Sequence, residues 1–183
     1  ADNTGAAPDA EAAEGPDEEA KPPLGGPEPL ISDADVERFA KDAMDSNRGC
    51  PPDDFTGWSK LVDQGQLVEL VQWKNGKPDG PAMLWYETGK IFAMTLRREG
   101  ELVQCQRYYR TGKKKTCWSP ADGELLEVIA WHQNGKKAAT GLMQNYSKHL
   151  MKDGEPVAMK FWNEKGEELD PEKGMKMLDQ LLD

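Results

Sequence analysis

The residues of this sequence that could carry chemistry are few. Its two histidines, His132 and His149, form no zinc-binding spacing with the three cysteines. Acidic pairs such as Glu167 and Glu168 are typical of a solvated surface. The pattern contains no glycine-rich phosphate loop, nucleophile elbow or calcium loop, because its glycines precede strand-like segments instead of helices. The sequence therefore predicts a protein that is not an enzyme, with no catalytic, cofactor or metal site.

The elements around these residues are organised by a recurring glycine. Nine glycines are separated by steps of 11 to 13 residues, apart from one step of 19, and two steps make a unit of 23 or 24. Aromatic residues stand shortly before several of them, as in WYETGKI, YYRTGKK and WHQNGKK. A repeat of this size buries its apolar face only against its neighbours. The nine are Gly65, Gly76, Gly89, Gly100, Gly112, Gly123, Gly135, Gly154 and Gly166.

The segments between these glycines, such as QLVELVQW, KIFAMTLR and ELLEVIAW, are short and rich in aliphatic and aromatic residues. Their length and composition favour strands over helices, and short turns make successive strands antiparallel. The sequence therefore predicts a mainly β fold, an elongated antiparallel meander of β-hairpin repeats with a period of about 23 residues.

The residue before each glycine distinguishes two kinds of hairpin turn. A two-residue type I′ turn needs positive φ at that residue, which favours Asn, Asp or Gly. Residues such as Gln64, Thr88 and Glu99 fit this turn badly. A three-residue loop that ends in left-handed glycine makes no such demand. We therefore predict three-residue loops throughout, with Tyr109 paired with Lys113.

This register predicts which residues share a face of the sheet. Residue numbers of paired positions should sum to 222 around Gly112, to 198 around Gly100 and to 244 around Gly123. One face, predicted to be buried, then contains Phe92, Met94, Leu96, Leu102, Tyr108, Thr116, Trp118, Leu126, Val128 and Ala130. The opposite face contains Ile91, Cys105, Arg107, Tyr109, Lys113, Lys115, Cys117, Ile129 and Trp131.

The same register places Cys105 directly opposite Cys117. The pair could form a cross-strand disulfide in an oxidising compartment, or remain as two small apolar side chains in contact; we favour the second interpretation. Cys117 would face Glu127, which puts His132 about 16 Å away along that strand. A nucleophilic cysteine and its histidine need hydrogen-bond contact, so this pair is not a catalytic one. Cys50 has no predicted partner.

A basic and aromatic surface is the candidate binding site. Seven cations and two acids lie between residues 97 and 115. Such a surface suits an anion or an acidic protein partner. The alternative, which we favour, is a set of solvated cations around aromatic residues that shield the sheet. The candidate partner-binding residues are Arg107, Tyr109, Lys113, Lys115 and Trp131, with Arg107 and Lys115 directly opposite each other.

The flanks differ from the repeat. Residues 1–30 hold eight acids and one lysine, a net charge of −7, and their Pro/Ala-rich composition predicts a disordered tail. Residues 31–54 should form an N-terminal helix capped by Ser32 and a linker. Residues 55–169 should form the repeat domain, and residues 170–183 a capping helix that begins with Asp170 and Pro171. Gly174 should weaken that last helix.

The series of an aromatic residue, two variable residues and Gly-Lys, together with GKPDGP at 76–81, resembles the bacterial MORN-repeat variant family, which includes YwqK-type antitoxin-like proteins. The resemblance covers about residues 55–168 and implies a single sheet of hairpins that makes protein contacts. The stretch TGLMQNYSKHLMKDG departs from the pattern, because its 19-residue step has no central turn glycine.

Two functions follow as hypotheses. The first is a non-catalytic protein-interaction or scaffold module, antitoxin-like, with a protein partner. The second is an envelope-associated structural module that binds anionic lipid or polysaccharide through Arg107, Lys113 and Lys115. Residues 31–183 carry only −3 of the total charge of −10, so no nucleic-acid partner is expected. The chain starts with Ala1 and continues with the acidic tail. From this we expect a protein that is exported or lipid-anchored at a bacterial envelope, and a cytoplasmic protein is the alternative.

Overall fold

The computed structural model describes residues 31–46, 50–122, 124–144 and 155–182. Within these residues, eleven strands form one sheet in which strand order follows chain order, and one helix lies at each end of the chain. This confirms the predicted β-hairpin meander with short helices at both ends. The predicted tail at 1–30, His149, Gly123 and Gly154 lie outside the described residues.

The elements have the following bounds in chain order. The helices are α1 (Asp33–Asp42) and α2 (Pro171–Leu182). The strands are β1 (Met44–Asp45), β2 (Gly57–Asp63), β3 (Gln66–Lys74), β4 (Lys77–Trp85), β5 (Ile91–Arg98), β6 (Glu101–Tyr108), β7 (Lys114–Pro120), β8 (Leu126–Trp131), β9 (Lys137–Gln144), β10 (Glu155–Trp162) and β11 (Glu168–Leu169). Neighbouring strands are antiparallel except β1, which pairs with β2 in parallel.

The hairpins use two kinds of turn. The turns that end at Gly89, Gly112, Gly135 and Gly166 are the predicted three-residue loops, and in the second of them the Tyr109 amide donates to the Lys113 carbonyl at 2.8 Å. The turns at Gly65, Gly76 and Gly100 are instead two-residue turns. There the prediction was wrong, because Gln64, Asn75 and Glu99 adopt positive φ beside glycines that also have positive φ. This conformation matches the right-handed strand twist.

Bulges near the turns change the predicted register. Tyr108 pairs with Lys114, as predicted, but Arg107 pairs with Thr116 because Lys115 is bulged out. The predicted pairing of Arg107 with Lys115 is therefore wrong. The sums of 198 around Gly100 and 244 around Gly123 are also wrong, since the pairs next to those turns sum to 199 and 246. A bulge adds one residue to one strand and moves every later side chain to the other face.

Each face of the sheet is covered by one helix. One face is covered near the N-terminal strands and the other near the C-terminal strands. One continuous row of paired residues consists of Lys60, Leu70, Met83, Met94, Gln106, Cys117, Ile129, Thr140 and Lys160; we call this the first face. The second face carries Ser59, Val71, Ala82, Thr95, Cys105, Trp118, Val128, Gly141 and Met159. Helix α1 packs on the first face and α2 on the second. The predicted single buried face is therefore wrong for Met94, Leu96 and Tyr108.

Helix α1 covers the N-terminal half of the first face. Its N-cap is Ser32, as predicted, whose hydroxyl accepts from the Asp35 amide at 3.2 Å. Phe39 stacks on Trp58 with ring centroids 4.4 Å apart. The helix ends at Asp42, because the chain becomes extended at Ala43 and pairs with β2 as the edge strand β1. The Lys60 ammonium donates to the Ala40 carbonyl at 2.7 Å and satisfies an end of the helix.

Helix α2 covers the C-terminal half of the second face. Asp170 caps it by accepting from the Lys173 amide at 3.0 Å, and Pro171 is its first residue, as predicted. Leu178 and Leu182 are buried in the larger apolar cluster, which also contains Trp118 and Phe161. The structure gives Gly174 a packing role: it lies against the Phe161 ring, which an added Cβ would overlap.

Candidate functional site

The three-residue turns lie in a row at the same ends of the strands, and we call this side of the sheet a turn edge, as distinct from an edge strand. They are separated by one hairpin, so consecutive turns lie two strand spacings, or about 10 Å, apart. In the first two of these turns, the residue just before the turn contacts the next repeat. The Tyr86 hydroxyl donates to the Tyr108 carbonyl at 2.7 Å, and the Tyr109 hydroxyl donates to the Trp131 carbonyl at 2.6 Å. These aromatic residues therefore fix the position of each turn relative to the next.

His132 takes the same position in the next repeat. Its Nε2 lies 2.7 Å from the Trp162 carbonyl, and because a carbonyl only accepts, the ring donates. His132 is 4% exposed. Its role in the structure is therefore the same as that of the two tyrosines before it, namely to join one repeat to the next.

A second ladder of hydrogen bonds comes from the lysines that follow the turn glycines. The ammonium group of Lys90 donates to the Thr111 carbonyl at 3.0 Å, that of Lys113 to the Asn134 carbonyl at 3.4 Å, and that of Lys136 to the Lys165 carbonyl at 3.1 Å. Each ammonium has three donor hydrogens, so it can bind a further acceptor from solvent or a partner. The lysine ladder fixes the position of these charges along the edge.

The middle of this edge is basic. The three central turns at 87–90, 110–114 and 133–137 carry six exposed cations and one acid, Glu87, a net charge of +5. Along the opposite edge, the described residues of 74–79, 98–101 and 120–124 carry three cations and five acids, a net of −2. We call the six cations the basic turn edge: Lys90, Arg110, Lys113, Lys114, Lys136 and Lys137.

Aromatic rings support several of these cations. The Arg110 guanidinium lies 4.8 Å from the centroid of the Tyr86 ring, and the Lys114 ammonium lies 5.8 Å from that of Trp131. Cation–π contacts of this kind contribute about 0.5–1 kcal/mol at exposed positions. Two of the six charges are therefore directed by rings of the repeat, in addition to the three held by carbonyls.

Four of the five candidate partner-binding residues lie together at one junction between repeats. Lys113 is exposed on the basic turn edge, and Trp131 is half-buried. Tyr109 is only 7% exposed, and the Lys115 ammonium lies 5.8 Å from its ring centroid. Burial raises the pKa of the Tyr109 hydroxyl, with Glu164 adding to the shift, so the hydroxyl stays protonated and donates at neutral pH. Tyr109 thus contributes to the inside of the junction.

Arg107, the fifth candidate, lies apart from this junction. It is half-buried on the second face, where its guanidinium donates to the Leu182 carbonyl at 3.3 Å and lies 5.4 Å from the Phe92 ring centroid. Its position ties the end of α2 to the sheet. The structure therefore separates Arg107 from Lys113, which the sequence placed on one face.

The two central cysteines are not opposite each other. Cys105 pairs with Trp118 and Cys117 with Gln106, so the thiols point to opposite faces of the sheet, and both are free. Cys117 also faces Ile129 and not Glu127 as predicted. His132 lies three residues beyond Ile129, the residue opposite Cys117. At the usual rise this places His132 about 10 Å from Cys117, which is still beyond hydrogen-bond reach.

Five cations of the basic turn edge were not among the predicted binding residues. They are Lys90, Arg110, Lys114, Lys136 and Lys137, and the sequence carried a signal for two of them, Lys90 and Lys136. The Gly-Lys pairs at 89–90, 112–113 and 135–136 recur every 23 residues, which is the period of the hairpin repeat. Residues that repeat with the hairpin period must lie on the same edge, so this spacing could have located the row.

The buried thiols should be inert in the folded protein. Burial is the main cause that raises the pKa of Cys105 and Cys117 to about 11 each. Since the thiolate is the reactive form, we expect one thiol, Cys50, to react with a disulfide reagent at about pH 8 in the native state, and three after denaturation. Reaction of two or more thiols in the native protein, or an intact-protein mass that shows a native disulfide, would contradict this.

Tyr109→Phe should lower the free energy of unfolding by about 1 kcal/mol, because it removes a buried hydrogen bond between repeats. The neighbouring Tyr108→Phe is a matched control. The Tyr108 hydroxyl lies 3.7 Å from the Met94 sulfur, and a thioether is a weak acceptor. Urea denaturation of both variants measures the difference, and equal losses of stability would show that the carbonyl contact does not brace the repeats.

Comparison with protein-family models, curated proteins and solved structures gives no match for this chain. Among the described residues, no group of three or more His, Cys, Asp or Glu side chains is placed to hold a metal ion. In the same part of the chain, neither helix has the length and apolar character needed to cross a membrane.

Proposed function

We propose that this chain is a non-catalytic protein-interaction module that binds an acidic protein through the basic turn edge. The observation that carries the proposal is the row of six exposed cations at the turns of three consecutive repeats. Hydrogen bonds to carbonyls fix Lys90, Lys113 and Lys136 in this row. Charges whose geometry is set before binding lose less conformational entropy when a partner pairs with them.

A protein partner is favoured over a lipid surface by the fixed spacing of the row. Turns about 10 Å apart present cations at regular intervals, which suits carboxylates held at matching intervals on a folded surface. Anionic lipids move laterally, and a short polybasic segment without fixed spacing is sufficient to attract them. The lipid or polysaccharide hypothesis also used Arg107, which is engaged with α2.

The repeat supports a module of the MORN-variant type. For such a module we propose an antitoxin-like role, in which the acidic partner is a toxin and the row of turns covers part of its surface. The support is the 23-residue recurrence of aromatic and Gly-Lys positions, whose side chains join one hairpin to the next.

The test is affinity capture with charge-reversed variants of the full chain. The variant Lys114→Glu/Lys137→Glu changes two exposed charges of the basic turn edge and leaves the lysine ladder in place. The control Lys74→Glu/Lys77→Glu changes two exposed charges on the opposite edge. We expect quantitative mass spectrometry to find an acidic protein captured by the wild type and the control, and at least about tenfold less by the variant.

Two results would contradict the proposal. One is equal capture of the same proteins by the variant and the control, which would place the contact elsewhere. The other is binding to vesicles that contain phosphatidylserine, lost in the Lys114→Glu/Lys137→Glu variant, with no protein captured. That result would favour the lipid hypothesis.

A further inference from the structure

The described chain begins beside the basic turn edge. Ile31 is 5% exposed and packs with Met83 and Met94 on the first face. Two residues later, Asp33 lines a cavity of about 290 Å³ together with Gly89, Lys90 and Gly112. The segment that precedes Ile31 is therefore attached to the body at the turns of the first two basic repeats.

That segment carries the opposite charge. Residues 1–30 hold eight acids and one lysine, a net of −7, against +5 for the three central turns. Asp17, Glu18 and Glu19 are consecutive, and Glu28 is three residues from Ile31. The two groups of charges are complementary in sign and similar in size, and opposite charges joined by a short tether have a high effective concentration.

The segment is also long enough to reach the whole row. Glu19 lies twelve positions before Ile31, and this length of chain spans at most about 40 Å when extended. The turns at Gly112 and Gly135 lie about 10 Å apart along the edge. The three consecutive acids can therefore reach Lys113 and Lys136 from an attachment point beside Gly112.

We propose that residues 1–30 bind the basic turn edge as an intramolecular acidic ligand. Carboxylates of Asp17, Glu18 and Glu19 pair with cations of the turns at Gly112 and Gly135. The docking does not depend on any partner. Where the proposed function also holds, the segment occupies the surface that an acidic protein needs and therefore competes with it.

Paramagnetic relaxation in the full chain tests the docking. A nitroxide is attached at Ala20→Cys in a Cys50→Ser background, since Cys105 and Cys117 are buried. At about 25 mM salt, where screening is weak, we expect broadening of the Lys113 and Lys136 amides to be at least about twice that at about 500 mM. The matched control carries Asp17→Asn/Glu18→Gln/Glu19→Gln with the same label, and its broadening should stay at the high-salt level.

Three outcomes overturn the proposal. The first is equal broadening in the parent and in the neutralised control, because tether geometry alone would then account for it. The second is broadening that does not change with salt. The third comes from mixing two preparations, an isotope-labelled chain without nitroxide and an unlabelled chain that carries the nitroxide. Broadening of the isotope-labelled amides would then show that the segment of a second copy occupies the edge.

The competition is read separately. Neutralising Asp17, Glu18 and Glu19 should tighten the capture of the acidic protein several-fold if the segment shields the edge. Loss of salt-dependent broadening with capture intact refutes the docking alone. Broadening with no captured protein refutes the proposed function alone.

Discussion

Gly76→Ala is expected to lower the free energy of unfolding by about 3 kcal/mol. Gly76 has φ of +71° in a two-residue turn, a conformation that costs an alanine about 1–2 kcal/mol. An added Cβ would also overlap the Asp53 carbonyl. The segment at 53–56 lies on this turn, where the Gly76 amide donates to the Phe55 carbonyl at 2.9 Å and the Asn75 amide donates to the Thr56 hydroxyl at 3.0 Å. Displacing the segment loses these bonds, each worth about 1 kcal/mol.

Gly65→Ala separates the two causes. Gly65 occupies the same position of a two-residue turn with φ of +82°, but a Cβ there meets no atom within 4 Å. Urea denaturation of both variants should therefore give a loss of about 1–2 kcal/mol for Gly65→Ala and a distinctly larger loss for Gly76→Ala. Equal losses would mean that the segment at 53–56 does not press on the turn.

Gly174→Ala is expected to destabilise the protein by about 2 kcal/mol, although alanine is the better helix former by about 1 kcal/mol. The reason is that the new methyl group would overlap the ring of Phe161, which is 1% exposed and packed below α2. Overpacking of a core typically costs about 1–3 kcal/mol and can exceed this when the neighbour cannot move. The helix must therefore shift away from the sheet to accept the change.

Thermal or urea unfolding measures this effect against Asp179→Ala, which changes an exposed residue of the same helix. Asp179→Ala should stay within about 0.5 kcal/mol of the wild type. Stabilisation by Gly174→Ala would show that helix propensity decides the outcome and that α2 does not rest closely on Phe161.

The fold class could be predicted from the glycine period, but the turn type could not be predicted at every glycine. Propensity disfavours positive φ at Gln64 and Glu99, yet both residues adopt it. A single residue in this unfavourable conformation costs about 1–2 kcal/mol, while a type I′ turn matches the twist of the two flanking strands. The pairing of the two flanking strands therefore outweighed the residue preference at these two turns.

The register could not be predicted because bulges leave little trace in the sequence. Lys115, Val103 and Ala138 have no directly opposite partner in one ladder each, and each shifts the residues beyond it by one position. The apolar residues gave no correction, because both faces of the sheet are covered, the first by α1 and the second by α2. A strand that is buried on both sides does not alternate clearly.

The candidate site was predicted in part for the same reasons. The sequence placed Tyr109, Lys113, Lys115 and Trp131 near one another, and the structure brings these four to one junction. It could not show that Tyr109 faces the inside of the junction, since burial depends on the neighbouring repeat. Arg107 was misplaced because the predicted register did not include the bulge at Lys115.

The hydrogen-bond ladders explain how a repeat fold can present charge at fixed intervals. Tyr86, Tyr109 and His132 bind the backbone of the following repeat, and the lysines after the turn glycines do the same at the rim. The aromatic position of the motif therefore joins the hairpins, and its cation is exposed on the basic turn edge, the surface that we propose binds an acidic partner.

The most direct test of this account is the salt dependence of the affinity for the captured acidic protein. The dissociation constant is measured from about 50 to 500 mM salt for the wild type, for Lys114→Glu/Lys137→Glu and for the control Lys74→Glu/Lys77→Glu. We predict that affinity falls with salt for the wild type and the control, and that the variant binds weakly at every salt concentration. Wild-type affinity that does not change with salt, or a variant that binds as tightly as the control, would contradict the basic turn edge as the binding surface.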